Sequence, residues 1–150
     1  MSPSTVAHDT FVIERIYDVP VARVYRAWAD AALKARWFAG SADALDSGYT
    51  LDFRVGGTEV NVGGPPGGPV YTYAAEFRDI VSERRIVSTY EMHADETRIS
   101  VAVATVEFYD EDGKTRLVLT EQGVFLDGHD TAAQREQGTQ ALLESLASSL

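Results

Sequence analysis

The sequence contains no cysteine, which excludes disulfide frameworks, thiolate zinc sites and cysteine nucleophiles. Basic residues are scarce: 13 Lys and Arg stand against 23 Asp and Glu, giving a formal net charge of −10. Nucleic-acid binding needs a clustered excess of Lys and Arg, so we expect no nucleic-acid partner. The same charge disfavours anionic membrane surfaces. No apolar run approaches the about 20 residues of a membrane helix, so we expect no membrane insertion.

Signatures of metal, cofactor and nucleophilic chemistry are also scarce. His8, His93 and His129 are isolated from one another, and none has a second ligand at metal spacing, so we predict no metal and no cofactor. There is no Gly-x-Ser-x-Gly nucleophile elbow. The N-terminal residues lack a basic segment followed by an apolar run, so no secretory signal is predicted and we expect a cytoplasmic location.

The composition that is present is typical of a globular protein. Hydrophobic residues make up 45% of the chain and charged residues 24%. A chain of 150 residues fits one domain, which buries roughly 70% of the surface of its unfolded chain. We expect a flexible tail at residues 1–9 and a single domain over residues 10–150.

Apolar periodicity predicts one strand, two short helices, about six sequential antiparallel strands and a long C-terminal helix. In the first helix, Val21, Val24, Tyr25 and Trp28 share one face. Strands joined by short turns usually pair with their neighbours, and the last helix would cover one face of the resulting sheet. The predicted strands are residues 10–19, 49–55, 58–62, 70–80, 84–93, 98–110 and 115–126, and the predicted helices are residues 20–30, 31–38 and 130–150.

The most unusual segment is "GGPPGGP" at residues 63–69. A phosphate-binding loop precedes a helix and carries a Lys, whereas this segment has no Lys beside it and is followed by a strand pattern. The segment is therefore predicted to be a long connection between two antiparallel strands. Whether it also acts as a lid over a cavity stays open.

The turns predict which side chains face the last helix, because strand side chains alternate between the two faces of a sheet. A two-residue turn at Gly56 and Gly57 places Phe53 opposite Val60. The inward face that results is rich in tyrosine, which is typical of an apolar cavity for a small molecule; plain core packing is the alternative. The predicted ligand-binding residues are Trp37, Phe53, Tyr71, Tyr73, Phe77, Tyr90, Met92, Val103, Glu121, Gly138 and Leu142.

Two of these residues have a second interpretation. Glu121 lies in the middle of a strand on the inward face, and its pKa should be raised unless a cation pairs with it. Arg15 on the first strand is the candidate partner, so Glu121 is either half of a structural pair or an acid that contacts ligand. Gly138 lies inside the last helix, where Gly costs about 1 kcal/mol relative to Ala. It leaves room for a ligand or permits a tight contact between helix and sheet.

Several segments together resemble a known superfamily: "IERIYDVPVARVYRAWAD" followed by "RWF", then "RVGG", "RRIVSTYEM", "ATVEFYDEDGKTRLVLTEQGVFLDG" and "REQGTQALLESLASSL". The chain resembles the START-like, or SRPBCC, superfamily over about residues 10–150, in the branch of homologues of the heat-shock-protein-ninety ATPase activator. The resemblance implies an α+β helix-grip (START/Bet v-like) fold, in which a curved antiparallel sheet wraps around a long C-terminal helix. It also implies ligands such as lipids, sterols, hormones or polyketides, and some members are aromatase-cyclases.

Three functions follow as hypotheses. The first is binding of a small hydrophobic, lipid-like or aromatic molecule in a cavity between the sheet and the last helix. The second is a cyclase or hydrolase that uses Glu121 as general acid or base and Tyr90 as proton donor. The third is a chaperone-activating or stress-related interaction module with a protein partner. The sequence does not decide between a monomer and a homodimer.

Overall fold

The computed structural model describes residues 4–150, which form an α+β helix-grip fold, as predicted. Seven strands make one antiparallel sheet in the order β1-β7-β6-β5-β4-β3-β2. None of the helices in this part of the chain is both long and apolar enough to cross a membrane. The elements are β1 (Val6–Tyr17), α1 (Val21–Ala29), α2 (Ala31–Phe38), a 3-10 turn (Ala42–Ala44), β2 (Tyr49–Leu51), β3 (Thr58–Gly63), β4 (Tyr71–Val81), β5 (Arg85–Ala94), β6 (Thr97–Glu111), β7 (Lys114–Leu126) and α3 (Ala132–Ser149).

The first strand begins earlier than predicted. Residues 1–9 were expected to form a flexible tail, but β1 starts at Val6 and pairs with β7 from there. The prediction is wrong for residues 6–9 because β7 runs on to Leu126 and its backbone hydrogen-bonds this segment. The Asp127 carboxylate also accepts a hydrogen bond from the backbone N–H of Thr5 (2.9 Å). Residues 1–3 of the predicted tail lie outside the described residues.

The helices α2 and α3 begin at side-chain caps, whereas α1 follows a proline that makes no cap hydrogen bond. Pro20 precedes α1, where its fixed φ suits the first turn. The Asp30 carboxylate accepts from the Leu33 N–H at 3.0 Å and so caps α2. At α3, the Thr131 hydroxyl accepts from the Gln134 N–H at 3.1 Å.

The GGPPGGP segment joins β3 to β4, as predicted, and these two strands pair directly. Its backbone turns tightly: Gly67 has a φ of +76°, and a Cβ at Gly64 would lie 2.3 Å from the carbonyl oxygen of Pro69. Glycine is therefore favoured at position 67 and required at position 64.

Besides a bulge in β4 between Phe77 and Asp79, two irregularities change which predicted residues face α3. β2 is short, and a six-residue turn joins it to β3, so that Thr50 pairs with Val60 and Leu51 with Glu59. The predicted pairing of Phe53 with Val60 is therefore wrong, and Glu59 points inward. In β6, Ile99 is an extra residue between two paired positions, and this bulge reverses the faces of the residues that follow.

The core lies between the sheet and the helices. Tyr17 donates a hydrogen bond to the Leu143 carbonyl (3.1 Å), which ties α3 to β1. Trp28 packs edge-on against Trp37 and Phe108, with ring centroids 4.7 and 6.3 Å away. Burial of such large apolar side chains is the main stabilising contribution to a fold of this size.

Candidate functional site

A cavity of about 70 Å³ lies between the inner face of the sheet, α2 and α3. Its wall is mostly apolar and aromatic, with a few charged and hydroxyl side chains. The residues that line it are Trp28, Lys34, Trp37, Phe38, Phe53, Glu59, Tyr73, Phe77, Ile86, Ser88, Tyr90, Ala104, Val106, Leu119, Glu121, Thr139, Leu142 and Leu143.

Most of the predicted ligand-binding residues lie in this wall. They come from five separate elements and from the turn after β2, and the sheet topology brings them together. The predicted residues found there are Trp37, Phe53, Tyr73, Phe77, Tyr90, Glu121 and Leu142.

Val103 and Gly138 were placed wrongly. The bulge at Ile99 turns Val103 to the outer face, where it lines a surface groove with Gln122. Gly138 is exposed, with no atom within 4 Å of the position its Cβ would take, so it makes neither room for a ligand nor a tight contact. Leu143 and Leu146 are the buried residues on the inner side of α3.

Tyr71 and Met92 line a neighbouring surface recess of about 540 Å³ rather than the cavity. Gly63 and Gly64 also line the recess, so the start of the GGPPGGP connection borders it. Phe38 and Tyr73 line both spaces, and their ring centroids are 5.1 Å apart. This aromatic pair therefore separates the cavity from the recess.

One end of the cavity holds a buried acidic cluster around Glu121, which pairs with Ala104 across the sheet. Glu121 is only 4% exposed, and its Oε1 accepts a hydrogen bond from the Tyr90 hydroxyl (2.7 Å). Arg135 of α3 donates to that same hydroxyl at 2.8 Å and to Asp130 at 2.7 Å. The Glu121 Oε2 is buried and has no hydrogen-bond partner among the described residues.

The environment perturbs both members of the candidate acid–base pair. Burial raises the pKa of Glu121, whereas the Tyr90 hydrogen bond and the nearby Arg135 charge lower it in part. Burial and the Glu121 charge both raise the pKa of the Tyr90 phenol. Tyr90 is therefore a neutral donor at physiological pH, and Glu121 holds its negative charge less readily than an exposed glutamate does.

The predicted Arg15–Glu121 pair does not form. Arg15 stands opposite Leu117 and Glu121 opposite Phe11, which puts them four positions apart along β1, about 13 Å. The Arg15 guanidinium instead bonds the Glu14 carbonyl (2.9 Å). The cation nearest Glu121 is Arg135, with its Nη1 3.9 Å from Oε2.

Sequence reasoning missed Arg135, although a signal for it exists. Arg135, Thr139, Leu142 and Leu146 follow the i, i+4, i+7, i+11 spacing of a single helix face. An arginine at the start of that apolar face indicates a buried acidic partner, because a buried charge is normally paired.

The other end of the cavity holds a second buried ionic cluster, which sequence reasoning also missed. The Lys34 Nζ of α2 lies 2.6 Å from Glu59 Oε2, and the Tyr49 hydroxyl donates to the same oxygen at 2.5 Å. Lys34 and Glu59 are only 4% and 1% exposed. The ammonium also lies over the rings of Phe38 and Trp28, 4.4 and 5.0 Å from their centroids.

No local pattern reveals the inward direction of Glu59, because that direction depends on the length of the turn after β2. The position of Lys34 did carry a sequence signal. Lys34 precedes Trp37 by three residues and Phe38 by four, which places all three on the same face of α2. Within residues 4–150, no three His, Asp or Glu side chains come close enough to hold a metal ion.

Comparisons with known proteins agree with this architecture. The chain matches, over residues 18–150, the family model described as Activator of Hsp90 ATPase homolog 1-like protein. No curated protein matches it. It is similar to the structure of an uncharacterised protein from Rhizobium leguminosarum, with 43% identity, 99% of this chain and 97% of that chain covered, and a TM-score of 0.92.

Two further structures extend the comparison. The protein Mll3558 from Rhizobium loti is 44% identical, with 97% of this chain and 99% of that chain covered and a TM-score of 0.90. DynU16, from the dynemicin biosynthetic locus, shares the fold at 15% identity and a TM-score of 0.68, with 93% of this chain and 46% of that chain covered. The match over residues 18–150 shows that the chain belongs to the family of Activator of Hsp90 ATPase homolog 1-like proteins, within the SRPBCC superfamily.

Proposed function

We propose that the protein binds a compact, mainly apolar small molecule in the cavity between the sheet and α3, with Glu121 and Tyr90 contacting its polar group. The observation that carries the proposal is the Glu121 carboxylate, which lines the cavity with an oxygen that has no hydrogen-bond partner. A buried carboxylate without its full set of partners is costly to the fold. A hydroxyl or N–H group of a ligand would supply the missing donor.

The size of the cavity limits the ligand. At about 70 Å³ it is smaller than the roughly 300–1,000 Å³ typical of pockets for drug-sized ligands. The recess of about 540 Å³ lies directly behind Phe38 and Tyr73. The ligand enters from the recess when this ring pair moves aside, which joins the two spaces and admits small aromatic probes larger than the closed cavity. The GGPPGGP connection borders the entrance. A long lipid chain is a poorer fit than a compact molecule.

Saturable binding of the neutral apolar probe N-phenyl-1-naphthylamine tests the proposal. We expect its fluorescence to rise on titration with the wild-type protein, and small aromatic molecules to compete with it. Leu142→Trp should abolish the signal, because Leu142 lines the cavity and a larger side chain fills it. Ala141→Trp is the matched control on the exposed side of the same helix.

Two results would contradict binding in this cavity: no saturable signal with the wild-type protein, or equal signals from both tryptophan variants. Thermal unfolding of each variant checks its fold, because overpacking of a core costs about 1–3 kcal/mol.

A second candidate is catalysis of the cyclase or hydrolase type by Glu121. The hydrogen bond between Glu121 and Tyr90, together with the raised pKa of Glu121, favours this reading, since a general acid or base works best with a pKa near the working pH. Hydrolysis of a 4-nitrophenyl ester that disappears in Glu121→Gln would support it; hydrolysis unchanged in that variant would exclude this role. Activation of the Hsp90 ATPase, which the family description names, stays a prediction for this chain and is testable by pull-down with the chaperone.

A further inference from the structure

Ligand binding at Glu121 does not explain why a charged lysine, Lys34, lines the other end of the cavity. Glu59 holds the ammonium from one side, and the aromatic rings of Phe38 and Trp28 flank it. An ammonium has three N–H donors, and Glu59 is its partner carboxylate among the described residues. Because Lys34 also lines the cavity, it has donors to offer to a ligand.

A row of aromatic rings connects the two polar ends of the cavity. The Phe38 ring lies under Lys34, and the Tyr73 ring follows at 5.1 Å from it. The Tyr90 ring is 4.7 Å from that of Tyr73 and carries the hydroxyl that bonds Glu121. These ring contacts place Tyr73 between the two ends, and the charges of Glu59 and Glu121 both raise its pKa, after the larger effect of burial. A ligand along this row meets rings on its flank and one polar cluster at each end.

The charges at the Lys34 end select the kind of group it accepts. Glu59 already balances the charge of Lys34 at 2.6 Å. An anionic ligand group would therefore meet a neutral pair and the buried Glu59 carboxylate, in a chain whose formal net charge is −10. A neutral acceptor such as a carbonyl oxygen takes a hydrogen bond from the ammonium without this repulsion.

We propose that the ligand is a neutral aromatic molecule with a carbonyl oxygen that accepts from Lys34 and a hydroxyl that donates to Glu121. The inference rests on the proposed function and names the ligand class for the same cavity. Lys34 selects ligands that have a carbonyl oxygen. Glu59 makes a neutral acceptor bind better than a negatively charged one.

Four small aromatic compounds separate the contributions in an NMR titration of the full chain. 4-Hydroxyacetophenone has both groups, 4-ethylphenol lacks the carbonyl, acetophenone lacks the hydroxyl, and 4-hydroxybenzoate carries an anion in place of the ketone. We expect 4-hydroxyacetophenone to bind about tenfold more tightly than each of the others, since a hydrogen bond to a charged group is worth at least that factor.

The variants assign the preference to Lys34. In the double variant Lys34→Met with Glu59→Gln, which avoids an unpaired buried carboxylate, we expect 4-hydroxyacetophenone and 4-ethylphenol to bind equally. Lys114→Met is the matched control, because Lys114 is an exposed lysine on β7 that does not line the cavity; there the tenfold preference should remain. Intermolecular NOEs from the acetyl methyl group to the Phe38 and Trp28 rings of the wild-type protein test the same placement without mutation.

Each contrary result has a distinct meaning. A wild-type protein that binds 4-ethylphenol as tightly as 4-hydroxyacetophenone overturns the inference and leaves the proposed function standing. The same conclusion follows if the preference for 4-hydroxyacetophenone survives in the double variant. It also follows if the acetyl group shows NOEs only to residues near Glu121. Tightest binding of 4-hydroxybenzoate shows that the Lys34 end selects anions, which also overturns it. If no compound binds and N-phenyl-1-naphthylamine does not bind either, the proposed function fails together with the inference.

Discussion

The two buried ionic clusters use similar side chains in different ways. At the Lys34 end, Glu59 receives an ammonium at 2.6 Å and a tyrosine hydroxyl at 2.5 Å on one oxygen. At the other end, Glu121 receives one tyrosine hydroxyl, and its nearest cation is 3.9 Å away and shared with Asp130. A glutamate that is directly paired holds the fold together, whereas one that is left partly unpaired is available to a ligand.

Removing the cation from the paired cluster is expected to have the largest effect. Lys34→Met should lower the free energy of unfolding by about 3–5 kcal/mol, because it leaves Glu59 buried without its partner charge. Urea denaturation at pH 7 measures the change. Adding Glu59→Gln should restore most of the loss, and a single variant as stable as the wild type would show that the pair contributes nothing.

Tyr90→Phe should have an intermediate effect. It removes the donor to Glu121 and an acceptor of Arg135, and unmet buried polar groups cost about 1–3 kcal/mol. Urea denaturation of Tyr109→Phe provides the comparison, because the Tyr109 hydroxyl is partly exposed on the other side of the sheet and donates to Glu107. Equal losses of unfolding free energy in the two variants would mean that the buried Tyr90 hydroxyl contributes no more to stability than the exposed Tyr109 hydroxyl.

Glu121→Gln should have a small effect on stability at pH 7, less than about 1 kcal/mol, because glutamine keeps the acceptor for Tyr90 and removes a poorly paired charge. This contrasts with Lys34→Met and is the sharpest test of the difference between the clusters. A loss as large as that of Lys34→Met would show that the Glu121 charge is structural.

The pH dependence of that same variant gives the finest test. Burial raises the folded-state pKa of Glu121 above its ordinary value of 4.5. The stabilisation from this carboxyl is therefore fully present below about pH 4.5 and is lost as the pH rises through the raised pKa. The free energy of unfolding of wild type minus that of Glu121→Gln should fall with increasing pH over this window and then level off. A difference that grows with pH would mean that the folded protein favours the ionised form.

The accuracy of the sequence predictions depended on turns and bulges. β4 carries a bulge between Phe77 and Asp79, beyond which Phe77 pairs with Ser88 and Tyr73 with Met92, so that Tyr73 and Phe77 face the cavity as predicted. Across β5 and β6, Tyr90 pairs with Ala102, and the bulge at Ile99 that sets this register has no clear sequence signal. One inserted residue reverses every side chain beyond it, and this is why Val103 was assigned to the cavity.

The sequence by itself determined the element order and the inward position of Glu121, which follow from local periodicity. The resemblance to the superfamily implied the helix-grip fold. Only the tertiary structure decided that Glu121 faces Arg135 rather than Arg15, and that Glu59 turns inward to meet Lys34. Both partnerships join side chains that come from different elements. Their geometry depends on strand register and on where each helix crosses the sheet, which no local pattern encodes.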